Sequence, residues 1–159
     1  MKVLSAPWRW EFISGLIKKQ GCVFCDALKL PDDESFICCR GTNFFVILNK
    51  FPYNTAHLMI VPYEHTAAPE NLPPEKTVEM WALMNRSLDI LKNQFHPHGF
   101  NIGMNIGPAA GAGVKDHVHL HIVPRWEGDA NFMPVIGKTR VLSYNLETIF
   151  EILRREFNH

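Results

Sequence analysis

Imidazole and aliphatic side chains alternate without a break through His117-Val118-His119-Leu120-His121-Ile122-Val123-Pro124-Arg125. In a strand, a period of two puts the three histidines on one face and Val118, Leu120 and Ile122 on the other. The aliphatic face packs, which leaves the imidazole face for chemistry. Upstream, two apolar, β-rich runs over 35–40 and 43–48 flank Gly41-Thr42 and predict a hairpin. After the Pro52 and Asn54 breakers comes a nearly continuous apolar run over 57–62, the mark of a central strand. Over 74–95 a helix is predicted, with Val78, Trp81, Leu88, Leu91 and Phe95 striping the side that covers the sheet and Glu75 and Glu79 near its positive end. Alternation over 99–105 gives another strand, and 107–113 is a small-residue loop running into the histidines. A helix over 8–19 opens the chain, 126–138 has no clear period, and a helix over 145–157, capped by Asn145, closes it. The sum is α+β: a five-stranded antiparallel meander with one long helix packed on the sheet plus N- and C-terminal helices, in a single domain over 1–159.

Composition narrows the function. Lys plus Arg and Asp plus Glu each number 16, so no long-range field draws in a polyanion, and nucleic acid is not an expected partner. No window approaches a membrane span, and the first 19 residues lack the apolar core of a signal peptide. Four cysteines without a secretory signal point to a reducing compartment, with the cytoplasm as the expected location.

Three in-register histidines offer a nucleophile, a proton carrier or metal ligands. One ion cannot hold all three, since positions i, i+2 and i+4 of a strand span about 13 Å. Gly107-Pro108-Ala109-Ala110-Gly111-Ala112-Gly113 lets backbone amides approach an anion closely, and an imidazole that attacks phosphorus is the complementary half of such a reaction. Cys22-Val23-Phe24-Cys25 has the spacing of a zinc half-site, with His65 and His117 as candidate completing ligands; a redox pair or two inert thiols are the alternatives. Cys38 and Cys39, as strand neighbours, point to opposite faces, one into the core. His57 opens the central strand, where it either orients the reactive imidazole or simply ends the strand. His96 and His98, after the long helix, read as structural.

The histidine run, preceded by its Gly-rich loop, resembles the signature of the histidine triad (HIT) superfamily, His-x-His-x-His followed by apolar residues. Leu48-Asn49-Lys50-Phe51-Pro52-Tyr53-Asn54 and His57-Leu58-Met59-Ile60-Val61-Pro62-Tyr63 are similar to that family's nucleotide-pocket strands. Pro97-His98-Gly99-Phe100-Asn101, Val123-Pro124-Arg125-Trp126 and Gly128-Asp129-Ala130-Asn131-Phe132 resemble the branch of the diadenosine tetraphosphate phosphorylases. The resemblance implies that His119 attacks the α-phosphorus of a nucleotide, that His121 sits on the phosphate and leaving group, and that His57 supports the reactive ring. It further implies Asn49 near the ribose, Asn105 near the phosphates, amides around Gly111 and Gly113 on phosphate oxygens, and a structural zinc held by Cys22, Cys25, His65 and His117. No organic cofactor is implied. A nucleotide substrate and a homodimer with sheets joined side by side, or a higher homo-oligomer, are. Phosphate as acceptor makes such a protein a phosphorylase, water a hydrolase and a phosphoramidate substrate a phosphoramidase; a non-catalytic nucleotide-binding protein is the alternative of a different class.

Overall fold

The computed structural model describes residues 21–129 and 145–159. The helix predicted over 8–19 and most of the aperiodic stretch 126–138 lie outside the described residues. Strands β1 (Ile37–Arg40), β2 (Phe44–Leu48), β3 (Leu58–Pro62), β4 (Gly99–Gly103) and β5 (Leu120–Arg125) form one antiparallel sheet in the order β1-β2-β3-β5-β4. The α+β reading holds, with one refinement of the path. After the helical crossover the chain lays β4 at the edge, and β5 returns into the gap beside β3.

Both faces of this sheet are covered over β2 and β3, which is why those two strands read as continuous apolar runs. Phe44, Val46 and Leu48 of β2, Leu58 and Ile60 of β3, and Val118, Leu120 and Ile122 join one core under α3 (Pro74–Phe95) and α4 (Leu146–Phe157). The alternate residues Phe45, Ile47, Met59 and Val61 join a second cluster with Phe24 of the short helix α1 (Val23–Ala27). The predicted period of two therefore holds, and the histidines share the second face. A further short helix, α2 (Asp32–Ser35), precedes β1. Asn145 caps α4 as expected, its Oδ1 accepting the Thr148 N–H at 2.8 Å.

Two helical assignments are corrected. Val78 and Trp81 face solvent at 70% and 57% exposure, and α3 instead buries Leu83, Met84, Ser87, Ile90 and Leu91. At about 100° per residue the buried arc centres on Ser87, which puts Trp81 about 120° and Val78 about 180° away from it. Leu91 is fully buried, and Leu88 and Phe95 pack at the margin of the core.

A correction to one strand bears on the site. β5 starts at Leu120 and not at His117, because continuing its register with β3 would set Val118 opposite Pro62. Proline has no N–H to extend a ladder. Val118 N–H donates to Thr66 O at 2.7 Å instead, so the segment stays extended while leaving the sheet.

Glu79 ties α3 to the β1–β2 turn: its carboxylate accepts from the N–H groups of Thr42 at 2.6 Å and Asn43 at 2.9 Å and from Asn43 Nδ2 at 2.7 Å. A side chain at Gly41 would collide with Glu79 Oε1 and meet Phe44 O at 3.0 Å. Gly41→Ala is therefore expected to lower unfolding stability by about 1–3 kcal/mol, the cost of stranding donors around a displaced carboxylate. A denaturant midpoint equal to the parent protein's would refute this clamp.

Candidate functional site

His117, His119 and His121 are all buried, at 0%, 6% and 8% exposure, and each ring has a different set of neighbours. His119 Nδ1 lies 2.9 Å from the carbonyl oxygen of His117. A carbonyl only accepts, so Nδ1 carries the proton and Nε2 presents a lone pair with no partner among the described residues. Phe24 packs beside it, ring centroids 4.9 Å apart. Burial lowers the proton affinity of this ring, against a smaller opposing effect of its bond to the His117 carbonyl.

His57, fully buried at the start of the β3 run, fixes the third ring. Its Nδ1 accepts the Tyr53 N–H at 3.0 Å and lies 3.2 Å from Asn49 Nδ2, so its proton sits on Nε2. That Nε2–H donates to His121 Nδ1 at 2.9 Å. The proton of neutral His121 is thereby on Nε2, which is the one buried side-chain polar atom among the described residues without a hydrogen-bond partner. Burial, with His119 alongside, pushes His121 down to about 4, so the ring is neutral at pH 7. His119 and His121 stand edge to face, 4.5 Å between centroids. The site thus holds a ring nitrogen with a free lone pair next to an N–H with nothing to bond: a nucleophile and a hydrogen-bond donor side by side.

The loop between β2 and β3 carries this relay. Asn49 Oδ1 accepts the Phe51 N–H at 2.9 Å and Asn49 N–H donates to His57 O at 2.9 Å, which sets Asn49 directly against His57. Ala56, 1% exposed, is left-handed at φ 56°, a conformation that costs an L residue roughly 1–2 kcal/mol.

His117 belongs to a separate cluster. Its Nε2–H donates to Pro62 O at 2.9 Å, and its Nδ1 faces Cys22 Sγ at 3.2 Å and Cys25 Sγ at 3.7 Å. His65 Nδ1 lies 3.4 Å from Cys25 Sγ, and one donor atom from each of the four residues falls within 4.8 Å of all the others. Tetrahedral zinc, with bonds of about 2.3 Å to sulfur and 2.0–2.1 Å to nitrogen, requires S···N edges of about 3.6 Å, so this Cys2His2 set fits. The Pro62 carbonyl supplies the outer hydrogen bond that turns Nδ1 of His117 toward the thiols.

The Gly-rich loop is exposed and makes no hydrogen bond to the histidines. Gly111, at φ 80°, donates its N–H to Pro108 O at 3.1 Å, whereas the Gly113 amide has no acceptor among the described residues. Val114 anchors the loop against the cluster that includes Phe24 and Met59. Asn105 is half-buried just before the loop. His96 ends α3 in a left-handed conformation and His98 Nδ1 accepts the Glu127 N–H at 2.9 Å, both structural as read.

Residues 32–128 match the family model of the HIT domain. The chain belongs to the HIT domain family. It is 38% identical over 134 residues to the AP-4-A phosphorylase of Mycobacterium tuberculosis, covering 84% of this chain and 69% of that protein. It is 27% identical to an adenosine 5'-monophosphoramidase of Candida albicans over 74% of this chain and 85% of that protein. Among solved structures, a zinc-bound histidine triad family protein from Mycobacterium smegmatis superimposes with a TM-score of 0.69 at 30% identity, covering 87% of this chain and 94% of that one. The resemblance to the phosphorylase branch of the HIT family is borne out by the first of these.

Three contributors to this HIT site escaped the sequence reading: Phe24, Tyr53 and the carbonyl of Pro62. Tyr53 stacks on His57 at 4.7 Å and reaches His121 at 5.5 Å, besides donating its N–H. An aromatic four residues before a strand-opening histidine was the available signal.

Because buried His121, and with it His117 and His119, binds protons less readily than an exposed imidazole at 6.5, the unfolded chain takes up more protons below that pH. Stability is therefore expected to be full above about pH 6.5 and to fall as the pH drops toward about 4. Denaturant unfolding between pH 7.5 and 4.5 checks this, and the slope should shrink in His121→Asn. A flat profile in the parent protein would contradict it.

Proposed function

We propose that this HIT protein is a nucleotidyl-transferring enzyme that splits dinucleoside polyphosphates such as diadenosine tetraphosphate by phosphorolysis, with His119 as nucleophile. The observation that carries the reading is the pair of opposed tautomers, a lone pair on His119 Nε2 beside an unpartnered N–H on His121. Neutral imidazole attacks without first losing a proton, and phosphorus bound to it is a labile phosphoramidate. His119 Nε2 attacks the α-phosphorus, the N–P bond forms as the P–O bond to departing ATP breaks, and the proton on Nδ1 stays hydrogen-bonded to the His117 carbonyl as positive charge develops on the ring. The His121 N–H donates to the oxygens that gain charge. Phosphate then attacks the adenylyl-histidine, the N–P bond breaks, and ADP leaves, so that diadenosine tetraphosphate and phosphate become ATP and ADP. His57 keeps His121 in its donor tautomer. Asn49 is assigned to the ribose side of the pocket, Asn105 and the amide of Gly113 to phosphate oxygens; Gly111, whose amide is engaged in its own turn, shapes the loop that presents Gly113.

Cys22, Cys25, His65 and His117 would hold zinc. Bound there, the ion would supply structure, and these four residues would tie α1 and the segment after β3 to the residue whose carbonyl holds His119. Among the described residues the outer edge of β4 has no strand partner and carries the exposed Ile102, which supports a homodimer with sheets joined side by side. None of the four cysteines is in a disulfide, which fits the cytoplasm. Among the described residues no helix is long and apolar enough to cross a membrane.

Chromatography of products from diadenosine tetraphosphate is the deciding test. ATP and ADP formed only with phosphate support the reading; AMP and ATP formed without it make the protein a hydrolase; binding without turnover makes it a nucleotide-binding protein. His119→Ala is expected to lower turnover by on the order of 10³-fold or more while keeping the fold, and His119→Gly to retain bound nucleotide. Undiminished turnover in His119→Ala would end the proposal. For the metal, elemental analysis is expected to find one zinc per chain, and chelation to lower the melting temperature and the activity together. Unchanged stability in a metal-free preparation would refute the structural role.

A further inference from the structure

The segment resembling the phosphorylase branch, Arg125 to Asp129, carries a polar network that the proposed reaction does not use. Asp129 accepts from Arg125 Nε and Nη2, both at 2.7 Å, from Trp126 N–H at 3.0 Å and from Asn54 Nδ2 at 2.7 Å. Asn54 Nδ2 also reaches Pro124 O at 3.1 Å, and Arg125 Nη1 donates to Asn101 Oδ1 of β4 at 2.5 Å. Asn54 is therefore a bolt between the end of β5 and the loop joining β2 to β3.

That loop has work to do. Tyr53, one residue before Asn54, donates the N–H that keeps the Nδ1 of His57 unprotonated, and Ala56, two residues after it, holds a left-handed backbone directly before His57. A loop carrying such a residue does not keep its shape by local preference; it is held from outside. Between Tyr53 and Ala56 the side chain that reaches the end of β5 is Asn54, and its shorter bond there, at 2.7 Å against 3.1 Å to Pro124 O, is to Asp129 of the Arg125–Asp129 pair, whose side chain is 12% exposed.

We propose that Asp129, fixed by Arg125 and acting through Asn54, is a positioning residue that locks the tautomer and orientation of the His57–His121 relay. The proposal rests on the catalytic reading above, in that the relay's N–H is what the reaction would use. Asn54→Ala isolates the idea, because it releases the loop while leaving the Arg125–Asp129 pair to brace the sheet. With diadenosine tetraphosphate and phosphate, Asn54→Ala and Asp129→Asn are each expected to lower kcat tenfold or more with KM changed less than threefold. Imidazole ¹⁵N spectra of the ligand-free proteins are expected to show a single Nε2–H tautomer for His57 and His121 in the parent chain and a mixture in both variants. Arg40→Ala, which breaks the similar Arg40–Asp32 pair far from the loop, is expected to keep kcat within twofold and the parent spectrum.

Asn54→Ala with parental kcat, or with the parental tautomers despite a lower kcat, would overturn the proposal. So would an equal loss in Arg40→Ala, since any broken ion pair would then act alike. Should the parent chain not cleave diadenosine tetraphosphate at all, the catalytic reading fails, and the spectra alone decide whether the bolt sets the relay.

Discussion

The hydrogen bond from His119 Nδ1 to the carbonyl of His117 is the constraint from which the arrangement of the site follows. Without it the buried ring would choose between two neutral tautomers, and one of them presents a proton where a lone pair is needed. The bond joins residues two apart, so it looks local. It is reliable only because His117 is immobilised from three directions: by Pro62 O on one ring nitrogen, by the two thiols on the other, and by its neighbour's N–H on Thr66 O. Each of these comes from a different part of the chain, and the proline that ends the β3 pairing lets the segment step out of the sheet to meet them.

Burial then acts in the same direction as the hydrogen bonds. Placing the histidines on the face covered by Phe24 removes them from water, which disfavours the charged form of all three. A covered face would ordinarily call for aliphatic side chains, and Phe45, Ile47, Met59 and Val61 occupy the neighbouring positions. The imidazoles are tolerated there because four of their six nitrogens have partners and a fifth, Nε2 of His119, presents only a lone pair. The sixth, Nε2 of His121, is left with an unmatched proton that a phosphate oxygen would satisfy.

Much of this was legible in the chain. The two-residue period of the histidine run separated core side from site side, the apolar run over 57–62 marked the central strand, and the Cys-x-x-Cys pair with His65 and His117 marked a candidate metal set whose donor atoms lie within 4.8 Å of one another. The errors have physical causes. Val78 and Trp81 are apolar, yet their helical angle turns them away from the sheet, and hydrophobicity without the angle misplaced them. The short helix α1 is five residues long, too brief for any periodicity to show. The N–H that Tyr53 gives to His57 is a group every residue but proline possesses, so that bond, unlike the ring packed beside it, leaves no mark in the side-chain pattern. The order of β4 and β5 depends on which gap a returning strand enters, and the alternation within either strand is silent on that.

The three histidines, identical in type and in register, end up in three different roles because their partners differ. His117 has a carbonyl on one nitrogen and thiols on the other, the setting the proposed reading gives a metal ligand. His119 has a carbonyl on one nitrogen and an open side, the setting that reading gives the nucleophile. His121 has a donor imidazole on one nitrogen, so its own proton is forced outward. Positions two apart on an extended chain lie about 6.6 Å from one another, far enough for each ring to meet separate neighbours and near enough for the second and third to address one phosphorus. The specificity of the motif therefore resides less in the imidazoles than in what stands opposite each: Pro62 for the first, the chain's own carbonyl for the second and His57 for the third.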